Sequence, residues 1–186
     1  MTLLAHAEPS FFDEGMMNER REHLRVTLNA MGLFFLPLSS DLSPRFGGGI
    51  NLGLSLDPKW DLSIGIRAHS AKEASSLSTV DVSFRSLKIQ AAYQFYRILY
   101  VAAALGMTQT QMKFDVFGSA TILQALSVPS VDLILGVRKF VFDRISVDLF
   151  QGVSFVPKTS FYVGQKQVTV KENFFWELGL GGTFWW

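Results

Sequence analysis

From Leu24 onward apolar and polar residues alternate with a period of two, in blocks longer than the ~5 to 6 residues of a typical soluble strand. In the first block Leu24, Val26, Leu28, Ala30, Gly32, Phe34 and Leu36 share one face, opposite Arg25, Thr27, Asn29, Met31, Leu33 and Phe35. Ile50, Leu52, Leu54 and Leu56 alternate with Asn51, Gly53 and Ser55 in a second block. The turn Asp57 to Trp60 then leads straight into Leu62, Ile64, Ile66 and Ala68, set against Asp61, Ser63, Gly65, Arg67 and His69. These two blocks predict a tight hairpin. A fourth strand carries Val82 and Phe84, then Leu87, Ile89, Ala91, Tyr93 and Phe95. Its apolar parity changes at Arg85-Ser86, where a β-bulge is expected to restore the facing.

The second half repeats the scheme. Phe95 to Arg97 turns the chain into Leu99, Val101, Ala103, Leu105 and Met107, and Val131, Leu133, Leu135 and Val137 follow. Phe142 to Arg144 turns it into Ile145, Val147 and Leu149, continuing through Val153 and Phe155. The last block sets Phe174, Trp176, Leu178, Leu180, Gly182, Phe184 and Trp186 against Phe175, Glu177, Gly179, Gly181, Thr183 and Trp185. About eight strands result. Their connections are minimal on one side and mostly long on the other, at Ser70 to Thr79, Thr108 to Val128 and Pro157 to Gln167. Tight turns at one end and long loops at the other are the pattern of an up-and-down barrel in the outer membrane.

Composition fits that picture. Of the 186 residues 48% are hydrophobic and 13% aromatic, with 17 Phe, and the mean hydropathy is +0.24. No apolar run reaches the ~18 to 20 residues of a spanning helix, so the hydrophobicity is distributed over strands. A net charge of +1 without a basic block gives no nucleic-acid footprint, and the absence of Cys excludes disulfides and thiolate metal sites. Residues 1–23 read as the tail of a secretory signal, with Ala5-His6-Ala7 as a small-x-small site, followed by a periplasmic arm. Residues 24–186 form the barrel.

The face opposite the apolar one decides between a lipid-facing barrel and a soluble, lipocalin-like carrier whose apolar face turns inward. It carries Arg25, Asp61, Arg67, Asp81, Arg85, Lys88, Asp132, Arg138, Asp148 and Glu177, five acids and five bases, interspersed with Gly. A balanced set of long charged side chains and glycines suits a narrow lumen that side chains must fill. Paired charges there make a plug more natural than a pore or proton path. Trp60, Phe95, Tyr96, Tyr100, Phe140, Phe142, Trp176, Trp185 and Trp186 fall at strand ends, as interfacial girdles require.

On these residues the chain resembles the small outer-membrane β-barrels of the OmpA-like and OmpX-like type. The resemblance implies an all-β, eight-stranded antiparallel up-and-down transmembrane barrel in a bacterial outer membrane, among lipids and lipopolysaccharide. It also implies that Gly179, Leu180, Phe184 and Trp186 form a C-terminal signal read by the barrel-assembly machinery. Members more often end in Phe than in Trp. Some eight-stranded outer-membrane enzymes that modify lipid A pair a His with a Ser, and His69-Ser70 is the one such pair here. Neighbouring strand residues point to opposite faces, however, and the surrounding residues do not match the deacylase pattern. No catalytic residue, metal site or cofactor is expected. The expected role is structural, surface-contact or adhesive, with a lipid-modifying enzyme as the alternative and a soluble carrier as a third reading. The apolar loop Phe114 to Val128 either prolongs the strands beyond the membrane or lies on the surface as a short helix, and in both cases offers a contact surface.

Overall fold

The computed structural model describes residues 24–38, 44–57, 59–74, 79–96, 98–116, 119–124, 127–163, 166–170 and 173–186. The expected signal tail and arm, residues 1–23 with His6 and His23, lie outside them. Eleven strands occur in chain order: β1 (Arg25–Pro37), β2 (Arg45–Ser55), β3 (Trp60–Ala74), β4 (Thr79–Gln94), β5 (Leu99–Val116), β6 (Ser119–Gln124), β7 (Val128–Phe142), β8 (Ile145–Val156), β9 (Thr159–Val163), β10 (Lys166–Val170) and β11 (Asn173–Trp185). Eight of them, β1, β2, β3, β4, β5, β7, β8 and β11, make the wall, each antiparallel to its neighbours. β11 pairs back onto β1 from Thr27↔Trp185 to Pro37↔Phe175, which closes the barrel.

The register fixes its dimensions. Directly opposed residues lead from Arg25 through Ser55, Asp61, Ala92, Ala102, Ile134, Gly152 and Glu177 to Phe35, back on the first strand. One circuit thus climbs from position 25 to position 35. With a rise of about 3.3 Å per residue and about 4.7 Å between strands, that stagger tilts the strands about 40° and sets a wall radius of about 8 Å. Each residue then advances about 2.5 Å along the barrel axis.

The minimal connections gather at one end, together with residues 24 and 186. In the β2–β3 turn Asp57 Oδ1 accepts hydrogen bonds from the backbone N–H of Lys59 (2.6 Å) and Trp60 (2.9 Å), which is how a turn built on aspartate stays tight. The seam between first and last strands is tied at its edge by reciprocal bonds between Val26 and Trp186, both 3.1 Å. At the other end the wall continues upward. β6 pairs with β5 from Gln111↔Gln124 to Val116↔Ser119, so the apolar segment expected as a prolonged strand pair or a helix is a prolonged strand pair. β9 and β10 form a separate hairpin between β8 and β11.

Outward positions form an apolar belt. Ile50, Leu52, Ile64, Ile66, Leu87, Ile89, Leu105, Leu133, Leu149 and Leu180 are all strongly exposed, which water would not tolerate over a continuous band and hydrocarbon requires. Aromatic residues border it on both sides. Trp60 against Tyr93 (4.8 Å) and Phe184 against Trp186 (5.3 Å) stand at the tight-turn end, Phe34 against Phe46 (5.2 Å) and Phe155 against Phe174 (4.8 Å) at the loop end. Three residues expected in a girdle turn inward instead. Tyr100 and Trp185 are buried in the lumen, and Phe140 packs its ring 5.2 Å from that of Trp185. Strand ends favour aromatics on either face, and only the parity of the neighbouring positions separates the two uses.

The expected β-bulge at Arg85-Ser86 is absent. β4 runs in unbroken register with β3 and with β5 through Ala68↔Arg85↔Gln109 and Arg67↔Ser86↔Thr108. What changes there is the solvent. Up to Leu87 the outward residues face lipid and are apolar. Beyond it Arg85, Ser83 and Asp81 point outward above the belt, while Phe84 and Val82 point inward and are buried. The pleat is continuous and the polarity of its two faces inverts at the membrane surface.

Two outcomes check this architecture. Leu133→Arg, in the middle of the belt, is expected to destabilise the barrel by about 2–4 kcal/mol in denaturant unfolding from lipid vesicles. Ala30 and Gly182 face each other across the closing seam, and a Cβ at Gly182 meets nothing within 4 Å. Ala30→Cys with Gly182→Cys, in a chain that has no native cysteine, should form an intramolecular disulfide in the folded state, and its absence there would deny closure.

Candidate functional site

The inward positions are where chemistry is possible, and geometry first dictates their size. A wall of about 8 Å radius leaves room for side chains only if large and small ones alternate. One row of opposed inward residues reads Tyr100, Gly136, Phe150, Gly179, Leu33, Gly47, His69 and Phe84. Two of its rings lie over neighbouring glycines, since a Cβ at Gly179 would collide with the ring of Phe150 and one at Gly136 with that of Tyr100; a Cβ at Gly47 would stand 2.9 Å from the ring of Phe35, two positions along β1 from Leu33. Gly179, expected as part of an assembly signal, therefore has a packing role. Leu180, Phe184 and Trp186 of the same segment face outward.

Near the tight-turn end Arg138 bridges two carboxylates. Its Nε donates to Asp148 (2.6 Å) and its Nη1 to Asp61, and its guanidinium lies 5.1 Å from the ring centres of both Tyr100 and Trp185. Asp148 also accepts from Thr183 Oγ1 (2.7 Å) and Asn29 Nδ2 (3.3 Å), and Trp185 Nε1 donates to Ser146 Oγ (3.1 Å). A desolvated guanidinium is tolerable because both its charge and its faces are engaged.

About 15 Å further along the axis lies a second cluster of Arg67, Lys88, Asp132 and Glu177, two bases with two acids, none more than 4% exposed. Asp132 is its centre. It accepts from Arg67 Nη1 (2.7 Å), Lys88 Nζ and Ser154 Oγ (2.6 Å), while Arg67 Nη2 also donates to Gln90 Oε1 (2.5 Å). Glu177 stands 3.6 Å from Arg67, and its Oε2 has no hydrogen-bond partner. Between the clusters Met31, Ile134 and Phe150 are buried in the lumen. A polar-edged cavity of about 40 Å³ bordered by Asn29, Asn51, Asp61, Gln90 and Arg138 remains, space for one to three waters.

Above the second cluster sits an aromatic layer. His69 stacks on Phe35 (3.8 Å, 17°) and Phe84 (4.8 Å, 17°) and meets the edge of Phe175 (5.0 Å). Its Nε2 makes no hydrogen bond, and Ser70 belongs to the opposite face of β3. The pair cannot act as base and nucleophile in this arrangement.

Of the ten charges expected in the lumen, Asp61, Arg67, Lys88, Asp132, Arg138, Asp148 and Glu177 form the two clusters. Arg25 lies half-buried at the tight-turn mouth. Asp81 and Arg85 do not line the lumen, for the reason given above: β4 has left the membrane before it reaches them. Sequence reading missed the aromatic layer and the two rings on Arg138. Their signal was present in the parity, which put Phe35, His69, Phe175 and Trp185 on the polar face.

No family model and no curated protein sequence matches the chain. Solved structures do. Neisserial surface protein A superposes with a TM-score of 0.61 at 15% identity, covering 87% of this chain and 96% of that one. A major outer-membrane protein of Thermus thermophilus gives 0.62 at 10% identity, covering 88% and 99%. Ail, the attachment invasion locus protein of Yersinia pestis, gives 0.53 at 14% identity, covering 87% and 97%. The fold is that of the small eight-stranded outer-membrane β-barrels, as the strand pattern led one to expect, and the outer-membrane location expected from it agrees with theirs.

The interior yields two tests. Asp132→Asn leaves two buried cations short of their shared carboxylate and should cost about 3–5 kcal/mol of stability, whereas Glu177→Gln should cost distinctly less because its one ionic contact is longer. Equal losses in urea titrations would contradict the central place given to Asp132. Gly179→Ala should slow or prevent folding, and adding Phe150→Leu should recover a large part of the loss. Additive losses in the double variant would show that the ring and the glycine do not interlock.

Proposed function

We propose that the protein is an integral outer-membrane barrel with a closed lumen, and that it acts through the sheet it raises above the membrane, in a structural, surface-contact or adhesive role without enzymatic activity. One observation carries this reading: two ion-paired clusters and an aromatic layer succeed one another along the lumen, and the cavity beside the first cluster has a volume of only about 40 Å³. Ion passage would require parting Asp132 from two cations and His69 from two rings at once. The raised part is made by the upper halves of β3, β4 and β5 with β6. There Arg85, Gln109, Gln111 and Lys113 face outward while Phe84, Val82 and Met112 are buried beneath. A surface of that kind is built to stand in water and present a face. Attachment, the property in Ail's name, is consistent with it. Outer-membrane lipids and lipopolysaccharide surround the belt, and the outward Leu180, Phe184 and Trp186 serve as the assembly signal.

In planar lipid bilayers the purified barrel, which should also migrate differently before and after boiling in SDS, is expected to give no unitary currents. Steady channel openings would reject the closed lumen. A peptide tag inserted at position 117 should be labelled by antibody on intact cells while a tag at position 58 is not; the reverse labelling would invert the orientation and remove the raised sheet from the cell surface.

A further inference from the structure

The lipid-facing belt contains one anomaly. Among the described outward positions between the two aromatic borders every side chain is apolar or glycine except two. Lys139 of β7 stands three positions from Phe142 at the tight-turn border, a distance over which a lysine stem carries its ammonium to the interface. Gln151 of β8 has no such exit, and it is exposed and its side chain makes no hydrogen bond among the described residues. Its opposed neighbours are Leu135 on β7 and Leu178 on β11. Depth makes this costly. Gln151 lies six positions above Ile145 at the tight turn and four below Phe155 at the upper border, so about 15 Å from one edge and about 10 Å from the other at about 2.5 Å of axial advance per residue. A glutamine side chain reaches neither border. The ester and phosphate groups of lipids stay at the borders, so no lipid headgroup can satisfy this amide, and water is absent at that depth.

What can satisfy it is another protein surface with a polar group at the same depth. Beside Gln151 the belt is also hollowed: an open groove of about 450 Å³ runs past Leu133, Leu135, Val153 and Trp176, and reaches the wall at Gly152. We propose that this face of β7, β8 and β11 is the contact surface of a symmetric dimer, in which Gln151 of one copy hydrogen-bonds Gln151 of the other. The symmetry follows from the membrane. Two copies inserted in the same direction and joined through the same face are related by a two-fold axis along the bilayer normal, which preserves depth and brings each residue of the axis-facing patch opposite its own copy. A primary amide is both donor and acceptor, so two of them form a reciprocal pair, the chemistry by which polar side chains join elements inside membranes. The groove beside it takes side chains from the facing wall, restoring the packing contact that drives association where hydrocarbon replaces water. This inference rests on the bilayer placement of the belt and not on any particular surface role.

Because the chain has no cysteine, Gln151→Cys introduces a single thiol. Oxidation of that variant in native membranes should give a disulfide-linked homodimer, while Ile64→Cys on the far wall should not. Independently, wild type in lipid nanodiscs should be dimeric by native mass spectrometry, Gln151→Leu monomeric, and Gln151→Asn still dimeric. Heat-dependent migration in SDS, run on every variant, separates failure to fold from failure to associate. Monomeric wild type, equal cross-linking at positions 64 and 151, a cross-link to a different protein, or dimers that persist in Gln151→Leu would each overturn the proposal.

Discussion

Closure is the constraint from which the rest follows. In hydrocarbon a backbone N–H or C=O without a partner costs several kcal/mol, and a sheet edge would present a row of them. β11 must therefore find β1, and eleven consecutive pairs from Thr27↔Trp185 to Pro37↔Phe175 show how completely it does. Once the seam is registered, the climb from position 25 to position 35 in a circuit of eight strands determines tilt and radius, and the radius determines what the inside can hold. Strand number and stagger thus act as a specification to which the inward residues must conform.

The inward residues meet that specification in two ways. Sterically, glycines against the rings of Phe150, Tyr100 and Phe35 give those rings somewhere to lie in a narrow tube. Electrostatically, charges are grouped so that each cation of the two clusters has a carboxylate: Arg138 with Asp61 and Asp148, Arg67 and Lys88 with Asp132 and Glu177. Such pairs contribute little net stability compared with apolar packing, but each becomes expensive if its partner is removed. Their value here is in fixing which strand faces which, since Asp132 on β7 holds residues of β3 and β4 from across the lumen and Ser154 of adjacent β8.

The outer surface obeys a different rule along its height. Within the belt apolar residues point out, and above it they point in, so β4 changes the meaning of its alternation without changing its geometry. The same strand is built for two solvents in succession. That rule also makes Gln151 conspicuous: a polar residue is ordinary on the outward face at the height of Arg85 and uncompensated at mid-belt.

The sequence alone determined which eight stretches cross the belt, the tight-turn and loop ends, and the lipid-facing parity of Leu54, Ile64 and Leu133 against Ser55, Gly65 and Asp132, because a strand's period of two is a local property that one-sided contact with lipid writes directly into residue choice. It read Ser70 to Thr79, Thr108 to Val128 and Pro157 to Gln167 as loops, where β3 and β5 run on and β6, β9 and β10 form, because above the belt lipid no longer writes the period. It also marked the charges as a balanced lumen set. It left undecided which acid meets which base, since Arg67 and Asp132 are 65 positions apart and only the stagger of the closed wall brings them to one height. It misplaced Asp81 and Arg85, and read a bulge at Arg85-Ser86, because alternation shows that two faces differ but not which solvent each one meets. That depends on how high a residue stands above the membrane, and height is fixed by tilt and register, quantities that exist only once the barrel is closed.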